Sequence, residues 1–227
     1  MNALVAKLKS NQFACELLTR CNFPPAGAPL NCAVSGGKDS MAMLLLACLN
    51  GCDVTAIHVD HSLRVGSDAE AQVVDQLAKL LGAKFISKTI KVEPGSNLEA
   101  RAREARYSVL PRDIATGHTA DDQAETVLIN LLRGAGLQGL AGMQHGHAHP
   151  ILGLRRSETE QLCAMFEIKC VVDPSNADPK FLRNRVRHEL MPLIDQISQR
   201  DVAAILDRQA ELFRDDAELL DELAKAI

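Results

Sequence analysis

Short apolar runs alternate with longer amphipathic stretches from residue 30 to residue 133, and this alternation constrains the fold more than any other feature. Residues 30–34 read as a strand, followed by a Gly-containing turn and a helical stretch over 40–49. The cycle repeats with a strand at 54–59 and a helix at 67–81, then a strand at 84–90 and a helix at 97–110. A fourth strand at 114–116 precedes a helix at 120–133. This pace implies a parallel sheet covered on both faces, with right-handed crossovers. Residues 149–152 are expected to add a fifth strand. After Gly134 the segment GAGLQGLAGM is loop-like, and from Ser157 on the pattern is helical, at 157–167, 180–198 and 201–225. An amphipathic helix over 3–20 ends near Pro24-Pro25. The expected division is an N-terminal helix in 1–28, an α/β domain over 29–172 and a small all-helical region over 173–227, with the two-proline turn DPSNADP at the last boundary.

Charge and cysteine usage narrow the function classes. With 25 Lys and Arg against 29 Asp and Glu, the net charge is −4, which excludes a generally basic nucleic-acid coat. Any RNA contact is confined to local patches, of which there are two. One holds Arg101, Arg103, Arg106 and Arg112, the other Lys180, Arg183, Arg185, Arg187 and His188. One Tyr and no Trp leave little scope for stacking on bases. The 7 cysteines include no Cys-x-x-Cys, so they read as free thiols in a reducing compartment rather than cluster ligands. No apolar run reaches 18 residues and no signal peptide opens the chain, which points to a cytoplasmic protein with no membrane contact.

The segment Ser35-Gly36-Gly37-Lys38-Asp39-Ser40 follows the first strand and opens the first helix of the repeat. Gly36 and Gly37 let backbone N–H groups close on an anion, and the positive end of the helix points to the same place. Ser35 and Ser40 add hydroxyls and Lys38 a charge. Asp39 fits such a site if its carboxylate faces a magnesium ion bridging phosphates. The Walker A spacing is absent. The segment resembles the PP-loop of ATP pyrophosphatases, which implies a Rossmann-like nucleotide-binding domain. There the loop holds the pyrophosphate end of ATP, and the bond between the α and β phosphates is cleaved.

Four further segments resemble the tRNA(Ile)-lysidine synthetase family of PP-loop enzymes. AIHVDHSLR (56–64) places Asp60 and His61 at a strand's carboxyl end, where open α/β sheets bind ligands; a polar strand-end cap is the alternative. LEARAREARY (98–107) has a core stripe of Leu98, Ala102, Ala105 and Val109, with Arg103 and Arg106 on another face. The resemblance favours Arg103 as an active-site cation over a solvated helix side. In ATGHTADDQAET (115–126), His118, Asp122 and Glu125 share a face if the helix runs from 118. The two carboxylates then hold an ammonium or a metal, or else cap the helix. Thr119 stands where the family usually has a second His. The fourth segment is DPSNAD (173–178) followed by FLRNRVRHELMPL (181–193), whose Arg183, Arg187 and His188 are expected to reach tRNA phosphates, with Arg155 and Arg156 as auxiliary contacts. His145, His147 and His149 alternate like ligands but lie in a Gly-rich loop, and the family has no metal there.

The resemblance implies a ligase using ATP and Mg²⁺. O2 of the wobble cytidine in tRNA(Ile) with a CAU anticodon attacks the α-phosphate and pyrophosphate leaves. The ε-amine of free L-lysine then attacks C2 and displaces AMP, giving lysidine. Mg²⁺, Lys38 and either Arg103 or Arg185 are the expected cations for the developing charge. Asp122 and Glu125 are the lysine-binding pair, and the general base stays open among Asp60, His118, Asp122 and Glu125. Many family members carry further C-terminal RNA-binding domains, so a short form is implied, and a homodimer sharing RNA contacts is compatible with it. The alternative is a tRNA cytidine 2-thiolation enzyme of the PP-loop type, which the lack of Cys-x-x-Cys disfavours. The arginines of 183–188 disfavour a small-molecule amidating synthetase, and the intact acidic residues a nucleotide-binding module without catalysis.

Overall fold

The computed structural model describes residues 2–60, 67–90, 101, 105, 107–172 and 178–225. Its elements run α1 (Ala3–Ser10), α2 (Gln12–Leu18), β1 (Pro29–Ala33), α3 (Lys38–Asn50), β2 (Asp53–Asp60), α4 (Ser67–Leu81), β3 (Lys84–Thr89) and β4 (Ala115–Thr116). There follow α5 (Ala120–Leu132), α6 (Leu137–Leu140), α7 (Arg156–Met165), α8 (Leu182–Arg185), a π-helical turn (Val186–Leu190), α9 (Met191–Ser198) and α10 (Val202–Lys225). The chain forms two compact units, one of residues 1–117 with 146–172, the other of 118–145 with 173–227. The first helix expected in the α/β domain's second half, α5, thus groups with the C-terminal helices.

The first unit is a parallel sheet in the order β3-β2-β1-β4. Leu30 pairs with Val54, Ala33 with Ile57, and Cys32 with Ala115. After the exposed Pro29, the residues of the internal strand β1 alternate between buried and partly buried. Helix α3 is buried at every position from Ser40 to Leu49, as a helix apolar all round must be. On α4, Val74, Leu77, Ala78 and Leu81 form the single stripe that faces the core. Asn2 and Asn11 cap α1 and α2 by accepting from Leu4 N and Ala14 N. Helix α7 packs on α3 and contributes Leu162 and Cys163 to the same core.

The sheet has four strands among the described residues rather than five. Residues 149–152 form turns, joined only by an isolated bridge between Gly146 and His149. Thr116 N donates to Ala148 O at 2.9 Å, so a loop rather than a strand meets the edge of β4. Pro150 has no N–H to extend a ladder. Ile151 and Leu152 are apolar because they are buried in the turn. Most of the helix expected at 97–110 lies outside the described residues.

In the second unit α10 packs along α5 and α6, and Ala124, Leu128, Ile129, Val186, Met191 and Ala203 form its core. Buried Gln123 braces the loop after α6, accepting from Met143 N and donating to Met143 O, both at 2.8 Å. His145 Nε2 lies 3.1 Å from Asp207 Oδ1 and 3.7 Å from Glu211 Oε1. The hydrogen bond to Asp207 is the main cause that raises the His145 pKa above its ordinary 6.5, with burial opposing it. Among the described residues no helix is long and apolar enough to cross a membrane.

Candidate functional site

The loop between β1 and α3 is built by backbone geometry first. Val34 N donates to Ile57 O, and Val34 O accepts from His58 Nδ1 at 2.9 Å, which fixes the proton of this buried histidine on Nδ1. Gly36 then turns at φ +90°, and a side chain there would meet Val171 Cγ2 at 2.8 Å. Gly37 is the N-cap of α3 and brings no side chain to the first-turn N–H groups. Such a helix start suits an anion. Ser40 Oγ donates to Gly37 O at 2.9 Å and lies 3.3 Å from Ser35 Oγ, which locks the loop across its mouth. Gly117, at the end of β4, backs the loop so closely that a Cβ would lie 2.9 Å from Ser40 N and Cα.

Helix α7 supplies partners that the sequence alone did not suggest. Asp39 Oδ1 accepts from the Thr159 hydroxyl, which is fully buried, and Asp39 Oδ2 lies 3.6 Å from Arg156 Nε. Arg156 was expected to face RNA, yet it lies at the loop's only acidic residue. Lys38 Nζ is 3.2 Å from Glu160 Oε1, both about half exposed, so this pair contributes little energy by itself. Asp60 ends β2 as expected and is buried. His61, Arg103 and Arg106 lie outside the described residues.

In the second unit, Asp122, Glu125, Arg183 and Arg187 form a compact charge cluster. Helix α5 begins at Ala120, not 118, so His118 precedes the helix and does not share a helical face with the two acids. Thr119 is the N-cap, and Asp122 Oδ2 accepts from Thr119 N at 3.0 Å and from its hydroxyl at 3.1 Å. Asp122 Oδ1 lies 3.3 Å from both Arg183 Nη2 and Arg187 Nη2. Glu125 is 1% exposed, accepting from Arg183 Nε at 2.8 Å and from Arg187 Nε at 2.6 Å. The four-residue turn between 183 and 187 puts both guanidiniums on one side. Arg185 points elsewhere, into an exposed pair with Glu189 at 3.0 Å. That contact raises the pKa of Arg185 and lowers that of Glu189. His188 is exposed.

These positions change the weight of several expectations. Asp122 serves as a helix cap as well as an ion-pair partner, and the arginines expected to contact phosphate are committed to carboxylates. Two positive and two negative charges make the cluster neutral. His145 and His149 have protein partners, Asp207 and Thr116 respectively. Among the described residues no trio of His, Cys, Asp or Glu could hold a metal ion.

A family model described as a PP-loop domain matches residues 11–194. The chain belongs to the PP-loop family. As a PP-loop protein it is similar to the tRNA(Ile)-lysidine synthase of Rhodococcus erythropolis, at 45% identity over 205 residues, which cover 86% of this chain and 63% of the relative. It is also similar to the tRNA(Ile)-lysidine synthase of Nocardia farcinica, at 39% identity over 213 residues, covering 89% and 67%. The chain therefore spans about two thirds of the length of these relatives. Among solved structures, a U34-tRNA thiolase from Methanococcus maripaludis with its [4Fe-4S] cluster superposes with a TM-score of 0.68 at 18% identity, covering 93% of this chain and 80% of that one. That likeness bears on the PP-loop fold.

Proposed function

We propose that this PP-loop protein adenylates the wobble cytidine of tRNA(Ile) with ATP and ligates L-lysine to C2, yielding lysidine, in the cytoplasm. The observation that carries the reading is the 45% identity to a tRNA(Ile)-lysidine synthase over a stretch of 205 residues. The geometry of residues 35–40 supports it. Backbone N–H groups of the α3 start bind the departing pyrophosphate, the two serine hydroxyls brace the loop, and Lys38 adds a cation. Gly117 and Val171 back the loop so that its backbone meets phosphate without rearrangement.

The donor set also fits magnesium. This ion keeps several waters and takes one or two carboxylates plus phosphate oxygens, which the Asp39 carboxylate can supply from its place in the first turn. When bound, the ion neutralises phosphate charge; Arg156 and Thr159 hold Asp39 in place for it. Asp60 orients substrate at the sheet's carboxyl edge. Asp122 and Glu125 recognise the lysine ammonium only by exchanging an arginine, because Thr119, Arg183 and Arg187 already use their oxygens. Arg103, Arg185 and His118 remain in the proposal as the residues nearest in kind to the chemistry. Arg185, whose pair with Glu189 is solvent-exposed, and the exposed His188 make the phosphate contact in place of the more buried Arg183 and Arg187.

The test is incubation with ATP, labelled lysine and tRNA, then nucleoside analysis. Lysidine is expected; a 2-thiocytidine product, or none, overturns the reading. Asp39→Ala is expected to abolish tRNA-dependent ATP–pyrophosphate exchange while leaving the fold intact, and full exchange in that variant refutes the loop assignment.

A further inference from the structure

His58 has no part in this reading, yet it touches the entry to the PP-loop. On β2 it shares a face with Val54, Ala56 and Asp60, all buried, and it is itself 2% exposed. Packing alone does not account for an imidazole there. Its Nδ1–H donates to Val34 O at 2.9 Å, and its Nε2 has no hydrogen-bond partner among the described residues. Burying one ring nitrogen unmatched costs free energy that a leucine of similar size avoids. The bond that offsets this cost is made to the last residue before the loop. Val34 also donates its N–H to Ile57 O, so both of its backbone groups face β2. A trans peptide points its C=O and the following N–H in opposite directions. The Ser35 N–H therefore faces away from β2, toward the β4 side of β1, where Gly117 lies against Ser40. Among the described residues no backbone acceptor meets that N–H.

We propose that His58 is a positioning residue of the PP-loop, holding the Val34–Ser35 peptide so that its N–H, and not its carbonyl oxygen, is presented to phosphate. Val34 O is the group that needs holding. The pairing of β1 with β2 ends at Ala33 and Ile57, and among the described residues no backbone N–H donates to Val34 O. The imidazole replaces that missing rung from within β2. Without it the carbonyl is buried and unmatched, and the peptide is free to turn its oxygen toward the anion site. Oxygen then faces phosphate oxygen, and the loop loses one of its donors. Weaker phosphate binding follows. This consequence rests on the proposed ATP site; the His58–Val34 bond and the tautomer it requires do not.

The wild-type chain gives the first readouts, by nuclear magnetic resonance. Of its 7 histidines, the one whose imidazole nitrogen signals vanish in His58→Asn is expected to carry its proton on Nδ1 at alkaline pH. A proton on Nε2 overturns the bond. Adding inorganic pyrophosphate and magnesium is expected to move the Ser35 amide proton downfield. Calorimetry of two variants gives the third readout. His58→Leu is expected to bind ATP and pyrophosphate about tenfold more weakly, whereas His58→Asn, which keeps an N–H donor at the place of Nδ1, stays within about threefold of wild type. Wild-type affinity in His58→Leu, or no recovery in His58→Asn, overturns the positioning role. Urea unfolding checks both variants, and where one does not fold the wild-type spectra still decide. If the wild type binds neither ATP nor pyrophosphate, the proposed ATP site fails, and the tautomer still decides the His58 bond. If it binds both and the Ser35 amide does not move, the positioning role alone fails.

Discussion

At the residue scale, Gly117 states the tightness of the PP-loop's backing. Gly117→Ala places a methyl 2.9 Å from Ser40 N, and backbone on both sides cannot give way cheaply. The expected outcome is a loss of about 1–3 kcal/mol in urea unfolding together with weakened ATP binding. A variant with wild-type midpoint and affinity shows that the loop has slack. The loop residues themselves, Ser35 to Ser40, were legible in the sequence because a strand, two glycines and a helix start follow one another locally. Thr159 and Arg156 were not legible, since they meet Asp39 from a helix some 120 residues on and no local pattern marks them. Asp122 was half legible: the capping role left open for it is present on one carboxylate oxygen, whereas the arginines that engage the other come from a helix some 60 residues on, which no local pattern marks.

At the element scale, the helix running through 182–198 is pinned to α5 by charge. Glu125→Gln leaves two guanidiniums sharing the Asp122 carboxylate and one neutral acceptor, and breaking a buried pair costs about 3 kcal/mol, the low end because the arginines are 22–33% exposed and Asp122 remains. Urea unfolding checks the stability term. A raised KM for lysine at unchanged kcat identifies an ammonium contact, whereas loss of stability alone identifies a clamp. The loop after α6 is held to α10 by a titratable contact. His145, facing Asp207, Glu211 and Arg214, has a pKa raised above 6.5. Its contribution is complete below about pH 6.5 and is lost as pH rises through the raised value. His145→Gln is therefore expected to destabilise the protein at pH 6 and hardly at pH 9, measured by thermal unfolding at both. Helices 67–81 and 201–225 were read nearly to the residue, because a single apolar stripe defines each. The strand expected at 149–152 failed because apolar residues buried in a turn carry the same short run as a strand.

At the scale of the whole molecule, a net charge of −4 makes any RNA binding local and salt-sensitive. Arg185→Gln is expected to lower the log–log salt slope of tRNA binding by about 0.7–0.9 if it contacts one phosphate. Arg187→Gln is expected to change stability more than slope, because its charge is spent on Glu125. Filter binding across a salt series separates the two; equal slopes for Arg185→Gln and wild type place tRNA elsewhere. The sequence read the order of elements well but not their grouping, since the alternation of strand and helix continues smoothly through α5. The interleaving of the two units also sets a timetable for synthesis. The segment 118–145 leaves the ribosome before 146–172 can complete the first unit, and it must wait for residues beyond 173 to find its own partners. During that interval the apolar face of α5 lacks the partners it has within its unit, whereas a chain in which 118–145 followed 172 would complete one unit before starting the other.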